Sequence, residues 1–323
     1  MTLFLSIIIP TRNRSNFLSQ ALTSIVGQTF DQRDFEIIVV DNGSKDMTRS
    51  VSGDFSKCFK NFNYFYEDTP GLHAGRHAGL KGSRGEIIVF ADDDIKAFPT
   101  WLEGIAEAFQ NNGVMLAGGK NLPLFESEPP AWLKKLWEKG YAEGRILGFL
   151  SLLDLGDAIK TISPYHVFGC NYSIRKEALV EAGGFHPDAM PPELVRYRGD
   201  GETYVSKFIF LNGYRTLYHP KASVYHWVSE ERMIPSYFCK RAYMQGISDS
   251  YTKIRDDEAK FQWDTIFRIL IKRLPQIFWG KLEAKIQISY IKGYMFHQRE
   301  VRRDPVLRDW VLRKNYFGAT CPT

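Results

Sequence analysis

Cysteine is scarce in this sequence. Cys58, Cys170, Cys239 and Cys321 are the four in 323 residues, and none shares a C-x-x-C spacing. That argues against a structural zinc site or a disulfide framework, and it suits a reducing compartment. Long apolar runs are missing as well. No uninterrupted stretch approaches the ~18 residues needed to cross a bilayer. Residues 1–10 are apolar but carry no basic leader and no small-residue cleavage site. They read as a first strand rather than a signal peptide. No G-x-G-x-x-G follows that strand, which weighs against a dinucleotide-binding fold. The glycine-rich basic loop of a sugar nucleotidyltransferase is also missing there. No G-x-S-x-G signal, internal repeat or low-complexity tract appears.

What is present is ordinary in bulk and uneven in detail. Hydrophobic residues at 44% and charged residues at 24% describe a globular chain, with room for one large domain or one and a half. Aromatics at 14% suggest ligand or interface surfaces beyond the core. From Ser229 onward, 18 Lys and Arg face 11 Asp and Glu, while the first 228 residues carry 24 against 26. A neutral-to-acidic front part, residues 1–228, thus joins a basic region, residues 229–323. Such asymmetry fits contact with an anionic partner.

Strand and helix signals alternate through the front part. Residues 3–9, 35–40, 62–66, 86–91 and 114–118 read as strands, and 15–28, 72–82 and 99–110 as helices. Repeated strand–helix units predict an α/β fold with a mostly parallel sheet covered by helices. Residues 120–165 break the rhythm with Pro123, Pro129, Pro130 and Pro164 around Trp132 and Trp137. They read as an insertion with one short helix, a lid or acceptor wall. Extended structure resumes at 167–174. Helices are expected at 176–182 and 201–212, short strands at 215–218 and 222–227, and a helical extension after Ser229.

The chemistry concentrates where strands end. The apolar run Glu86–Ala91 stops abruptly at Asp92, Asp93 and Asp94. Ligands of open α/β sheets bind at the carboxyl ends of strands. Three adjacent carboxylates in a half-dry cleft repel, and a hard cation relieves them. Oxygen donors suit Mg or Mn, which in turn hold a diphosphate. Pro10, Thr11, Arg12 and Arg14 follow the first strand, where the arginines could face phosphate. Asp41 ends the second strand and could accept a ribose hydroxyl or base N–H. Arg76 lies in a helix rich in small residues near the same cleft. His73 and His77, four apart, lack a third N or S ligand for a metal site. Taken singly, an acidic loop, a helix cap or a surface arginine explains each of these equally well.

Taken in order, SIIIPTRNR, IIVVDNGS, PGLHAGRHAG and GEIIVFADDD resemble the family 2 glycosyltransferases. The resemblance continues through GCNYSIR at 169–175, GGF at 183–185 and YHW at 225–227, so it covers roughly residues 3–228. It implies a GT-A fold, a nucleotide-sugar donor and single inverting displacement. Asp41 would contact the nucleoside. Asp92 and Asp94 would be the ends of a D-x-D motif, with Asp94 most directly on Mn or Mg and His226 as a further ligand. The family's general base follows an E-D pair. Here Arg198-Gly-Asp-Gly-Glu-Thr203 aligns Glu202 with the base, replaces the preceding acid by Gly201, and leaves Asp200 as a rival. Trp132 and Asn171, with His166 and Phe168, are candidates for the acceptor side.

The resemblance makes the expected partners a nucleotide-sugar, a uridine diphosphate sugar foremost, and a glycan, polysaccharide or lipid-linked acceptor. In residues 261–274, apolar and aromatic side chains recur at helical spacing between basic ones. That suits peripheral contact with an anionic cytoplasmic leaflet, or a second subunit through the C-terminal helices. No nucleic-acid-binding module is recognisable. Two alternatives remain at this point: a catalytically silent carbohydrate- or nucleotide-binding protein of the same fold, and a sugar nucleotidyltransferase.

Overall fold

The computed structural model describes residues 4–256 and 281–322. In chain order the strands are β1 (Leu5–Thr11), β2 (Phe35–Asp41), β3 (Phe62–Tyr66), β4 (Ile87–Ala91), β5 (Ile95–Ala97), β6 (Val114–Gly118) and β7 (Asn121–Phe125). They continue as β8 (Arg145–Leu147), β9 (Leu152–Asp154), β10 (Lys160–Thr161), β11 (Asn171–Arg175), β12 (Arg215–Tyr218) and β13 (Val224–Val228). The first helices are α1 (Ser15–Val26), α2 (Thr48–Phe55), α3 (Leu72–Gly82), α4 (Trp101–Phe109), α5 (Ala131–Glu138), α6 (Lys176–Ala182), α7 (Glu202–Leu211) and α8 (Pro235–Asp256).

The main sheet has the order β10-β12-β6-β11-β4-β1-β2-β3. Its β4-β1-β2-β3 part is parallel, and β11 runs antiparallel between β4 and β6. Side chains alternate along each strand, so β1 feeds two cores. Ile7 and Ile9 pack with Leu18, Leu22 and Ile25 of α1, while Ile8 packs with Leu80 of α3, Leu179 of α6 and Val205 of α7. Burial on both faces is why these strands read as continuous apolar runs. Each fully buried Ile or Val contributes about 1.5–3 kcal/mol of transfer free energy.

Register places the site. Leu5 lies opposite Phe35, and Thr11 opposite Asp41. The carboxyl ends of β1 and β2 therefore open on one edge, where Asp92 to Asp94 follow β4. Helix α3 approaches this sheet closely at Gly79, where it carries no side chain. A Cβ on Gly79 would collide with the Ile8 side chain.

Residues 120–165 differ from expectation. The short helix is there as α5, but the stretch also contributes β7, β8 and β9 to a second sheet, in the order β5-β13-β7-β9-β8, and β10 to the main sheet. The pairing of β7 is with β13, parallel, with Asn121 opposite Val224. Strands of two to five residues whose partners lie far along the chain leave little periodicity to read.

The chain after Ser229 packs on the front part. Helix α8 is pinned to the loop before α7: Ser248 Oγ donates to the Gly199 carbonyl (2.7 Å) and Thr252 Oγ1 to Asp200 (2.6 Å). Helix Lys281–Arg303 lies along α8, and helix Pro305–Leu312 follows it. The latter starts with a proline and is capped by Asp304, which accepts from the Val306 and Leu307 N–H groups. Trp310 Nε1 donates to the Tyr197 carbonyl (2.9 Å). The amphipathic stretch 261–274 lies outside the described residues. No described helix is long and apolar enough to cross a membrane.

Candidate active site

A cleft of about 340 Å³ opens at the carboxyl edge of the main sheet. The end of β1 and its following loop supply Pro10, Thr11, Arg12 and Arg14, α3 supplies Arg76, and the end of β4 supplies Asp92 and Asp93. The lining also includes Glu202 at the start of α7 and His226 on β13, the latter beside Asp94. Asp41 is buried behind the rim. It accepts from the Ser44 N–H and the Tyr64 hydroxyl, both at 2.7 Å, and its neighbour Asn42 lines the cleft instead.

The three aspartates divide their contacts. Asp93 turns under β1, accepting from Thr11 Oγ1 (2.7 Å) and pairing with Arg14 (2.8 Å). Burial pushes its carboxyl up to about 7, only partly offset by Arg14. Asp94 is buried too. Burial again opposes ionisation, but His226, Arg232 and Arg14 outweigh it and hold Asp94 below the usual carboxylate range. Arg14 Nη2 lies 2.8 Å, and Arg232 Nη2 3.2 Å, from Asp94 Oδ2.

The other oxygen of Asp94 tests whether a cation fits. Oδ1 is buried and receives no hydrogen bond. It faces His226 Nε2 at 3.3 Å. His226 Nδ1 lies 2.9 Å from the Leu150 carbonyl, which only accepts, so Nδ1 carries a proton and Nε2 is the nitrogen turned to Asp94. Arg232 Nη1 lies 3.4 Å from the same Nε2, so positive charge already meets this pair, and the open Asp94 Oδ1 is where a metal ion would join it. Ligand atoms of Asp92, Asp94 and His226 lie within 4.8 Å of one another. Two carboxylates and one imidazole suit Mn or Mg. The residues fit the group.

Arg76 connects the two walls. Its Nη2 is 3.8 Å from Asp92, and its Nη1 is 3.5 Å from Glu202. The guanidinium is buried over the Phe185 ring (5.0 Å) and donates to the Gly169 carbonyl (3.1 Å). Glu202 itself faces the cleft. Asp200, its rival in the sequence, does not. Its oxygens are taken by His186 Nδ1 and Thr252 Oγ1, both at 2.6 Å, on the side away from the cleft. Gly201 makes this division. Its φ of +56° and ψ of −127° belong to glycine, and a Cβ would lie 2.8 Å from Asp188.

A model of glycosyl transferase family 2 matches residues 6–180, more than half of the chain. The chain belongs to glycosyltransferase family 2. Among curated relatives, glycosyltransferase AglE of Haloferax volcanii is 35% identical over 117 residues, which is 36% of this chain and 38% of that protein. The chain thus aligns with well under two thirds of that relative's length. The glucosyl-dolichyl phosphate glucuronosyltransferase of the same organism is 22% identical over 282 residues, 85% of this chain and 86% of that protein. Among solved structures, the mannosyltransferase PcManGT from Pyrobaculum calidifontis, in complex with GDP-Man and Mn2+, matches with a TM-score of 0.57 and 16% identity, covering 99% of this chain and 86% of its own. Staphylococcus aureus TarS 1–349 in complex with UDP-GlcNAc matches with a TM-score of 0.53 and 16% identity, covering 93% of this chain and 92% of its own. At these identities the structures speak for the fold, and that fold is GT-A.

The chain brings Arg76, Asp92, Glu202 and His226 to one cleft from positions up to 150 residues apart, with Asp94 beside Asp92 and His226. Two acceptor-side candidates do not reach it. Asn171 is buried, holding Trp101 Nε1 (2.9 Å), Asn121 (3.1 Å) and the Ala222 carbonyl (2.9 Å), so its amide ties the two sheets together. Trp132 packs edge-on against Phe238 of α8. His166 pairs loosely with Glu143, and Phe168 packs on the core. The cleft is instead lined further by Asp188, Arg198, Arg232, Tyr237 and Arg241. Only the last three lie in the basic region after Ser229 that the sequence set apart.

Proposed function

We propose that this chain is a metal-dependent, inverting glycosyltransferase. It takes a sugar from a nucleoside diphosphate sugar, a uridine diphosphate sugar foremost, to a hydroxyl of a glycan, polysaccharide or lipid-linked acceptor. One observation carries the reading: Glu202, a part-exposed carboxylate lining the cleft, is linked through the Arg76 guanidinium to Asp92 of the Asp92, Asp94 and His226 cluster. The family match supports glycosyl transfer. The TarS complex supports the uridine nucleotide, and the dolichyl-phosphate relative supports a lipid-linked acceptor.

Asp92, Asp94 and His226 would hold Mn or Mg, which when bound offsets the charge growing on the departing diphosphate. Arg14, beside Asp93 and Asp94, adds fixed positive charge at the same end. Pro10, Thr11, Arg12 and Asn42 would line the donor's nucleotide, with Asp41 behind them holding Ser44 and Tyr64. Glu202 accepts the proton of the attacking hydroxyl. A carboxylate within hydrogen-bond reach of that hydroxyl contributes roughly 10²–10⁴-fold. Arg76, fixed by Gly169 and Phe185, holds Glu202 in place at 3.5 Å. Base on one face and leaving group on the other give inversion. The basic region after Ser229 would bring the protein to the cytoplasmic face of the membrane, where lipid-linked acceptors lie.

The test uses water as acceptor. With an α-linked UDP-sugar and Mn2+, proton NMR should show the β anomer of the free sugar first, before mutarotation. Initial release of the α anomer would contradict single displacement.

A further inference from the structure

Six arginines line the cleft: Arg12, Arg14, Arg76, Arg198, Arg232 and Arg241. Four are spoken for. Arg14 pairs with Asp93 and Asp94, Arg232 with Asp94, Arg76 with Asp92 and Glu202, and Arg198 with Asp188 at 2.6 Å. Arg12 is exposed on the donor edge. Arg241 is different. It is half-buried and, among the described residues, has no carboxylate within ion-pair distance; like that of Arg76, its Nε is enclosed without a hydrogen-bond partner. A guanidinium removed from water is retained at a cost unless something pairs with it.

Its position says which substrate would do so. Arg198 lies four residues before Glu202, and its Asp188 partner packs against Gly201, next to Glu202. Arg198 Nε donates to Ser248 of α8 (3.3 Å), so the loop carrying the base and the helix carrying Arg241 are one wall. Tyr237 stands one helical turn before Arg241 and lines the same wall. This wall adjoins Glu202, which the proposed reaction assigns to the acceptor hydroxyl. Asp188 does not neutralise it. Burial works against its ionisation, but Arg198, the Ala189 N–H, Arg76 and Arg241 outweigh that and hold its pKa below the usual range. Its one negative charge is shared among three arginines.

We infer that Arg241, with Arg198 beside it, is a subsite for an anionic group on the acceptor, a phosphate or a carboxylate, within one sugar's reach of the reacting hydroxyl. The planar fork of arginine suits either oxyanion, and Tyr237 offers a face for the sugar between. The assignment to the acceptor rests on the glycosyltransferase reading; the anion site itself does not.

Calorimetry on the full chain tests it with four probes: inorganic phosphate, glucose 1-phosphate, glucuronate and glucose, each with and without UDP and Mn2+. Anionic probes should bind with UDP present, and glucose should bind far more weakly. Arg241→Gln should weaken the anions by about ten- to a hundredfold, Arg241→Lys should restore part of that, and neither should change UDP affinity. Preference for the phosphates points to a lipid-phosphate acceptor, and preference for glucuronate to an acidic glycan; either supports the subsite. Equal binding of glucose and its phosphate, unchanged anion affinity in Arg241→Gln, or displacement of the anions by UDP would overturn it. Failure of the wild type to bind UDP would instead contradict the functional reading, while the anion arms still decide this one.

Discussion

Asp94 is a buried carboxylate on which Arg14, Arg232 and His226 converge, yet its Oδ1 accepts nothing. A side chain that served only to balance two arginines would have both oxygens in use. The metal reading therefore makes a sharp prediction. Asp94→Asn keeps the shape and removes the charge. UDP affinity measured by calorimetry in Mn2+ should fall to the value found in EDTA, while the wild type should differ between the two by tenfold or more. Equal wild-type affinity in Mn2+ and EDTA would remove the cation from the account. The carboxylates were readable in the sequence because they end an apolar run abruptly. Arg232 was not, because its meaning comes only from being folded back against residues 138 positions earlier. Asn171 misled for a related reason: a polar residue beside Gly169-Cys170 resembles a cleft residue until its three buried hydrogen bonds are seen.

At the level of elements, the start of α7 decides how Glu202 is presented. Asp200 faces α8, Gly201 turns the chain, and Glu202 faces the cleft. Any side chain at 201 must accept a left-handed backbone and push on Asp188. Gly201→Ala should destabilise the fold by about 1–3 kcal/mol, seen as a lowered Tm, and should lower kcat more than UDP affinity because Glu202 moves with the turn. A Tm and kcat both at the wild-type level would mean that the turn tolerates a Cβ and does not position the base. The long parallel strands were legible because burial on two faces leaves them uniformly apolar. The second sheet was not: β7 carries Pro123 within Asn121–Phe125, and β5, β8 and β9 are three residues each, too short for alternation to show. Helix α8 was legible as helical and basic, but its sequence carries no mark that Tyr237 and Arg241 face a cleft.

At the scale of the molecule, burial of histidine sets a pH dependence. His73, His77 and His297 are enclosed, and burial lowers them from 6.5 to about 4, 3 and 3. Below pH 6.5 the unfolded chain takes up protons that the folded chain refuses. Stability from these groups is complete above 6.5 and is lost as pH falls toward 4, by up to ~1.4 kcal/mol per pH unit for each histidine. Asp93 acts in the opposite sense. Raised to about 7, it holds a proton in the folded state that the unfolded chain has released, so it favours folding as pH falls from 7. Three histidines outweigh one carboxylate. The metal-free protein should lose Tm between pH 7 and pH 5, and a flat or rising Tm over that range would contradict the buried, neutral assignment. His73 and His77, which the sequence offered as a pair on one helix face, are thus packing groups around Tyr316, Phe185 and Phe317.

The proposed reaction divides the labour between a cation held by Asp92, Asp94 and His226 and a proton acceptor, Glu202. The most direct measurement is kcat for sugar transfer by Glu202→Gln relative to wild type, with UDP affinity determined on the same preparation. Glutamine keeps the size and the neighbour Arg76 but cannot take the proton. The account predicts kcat lower by roughly 10²–10⁴-fold with UDP affinity unchanged. A Glu202→Gln enzyme that turns over near the wild-type rate would contradict it.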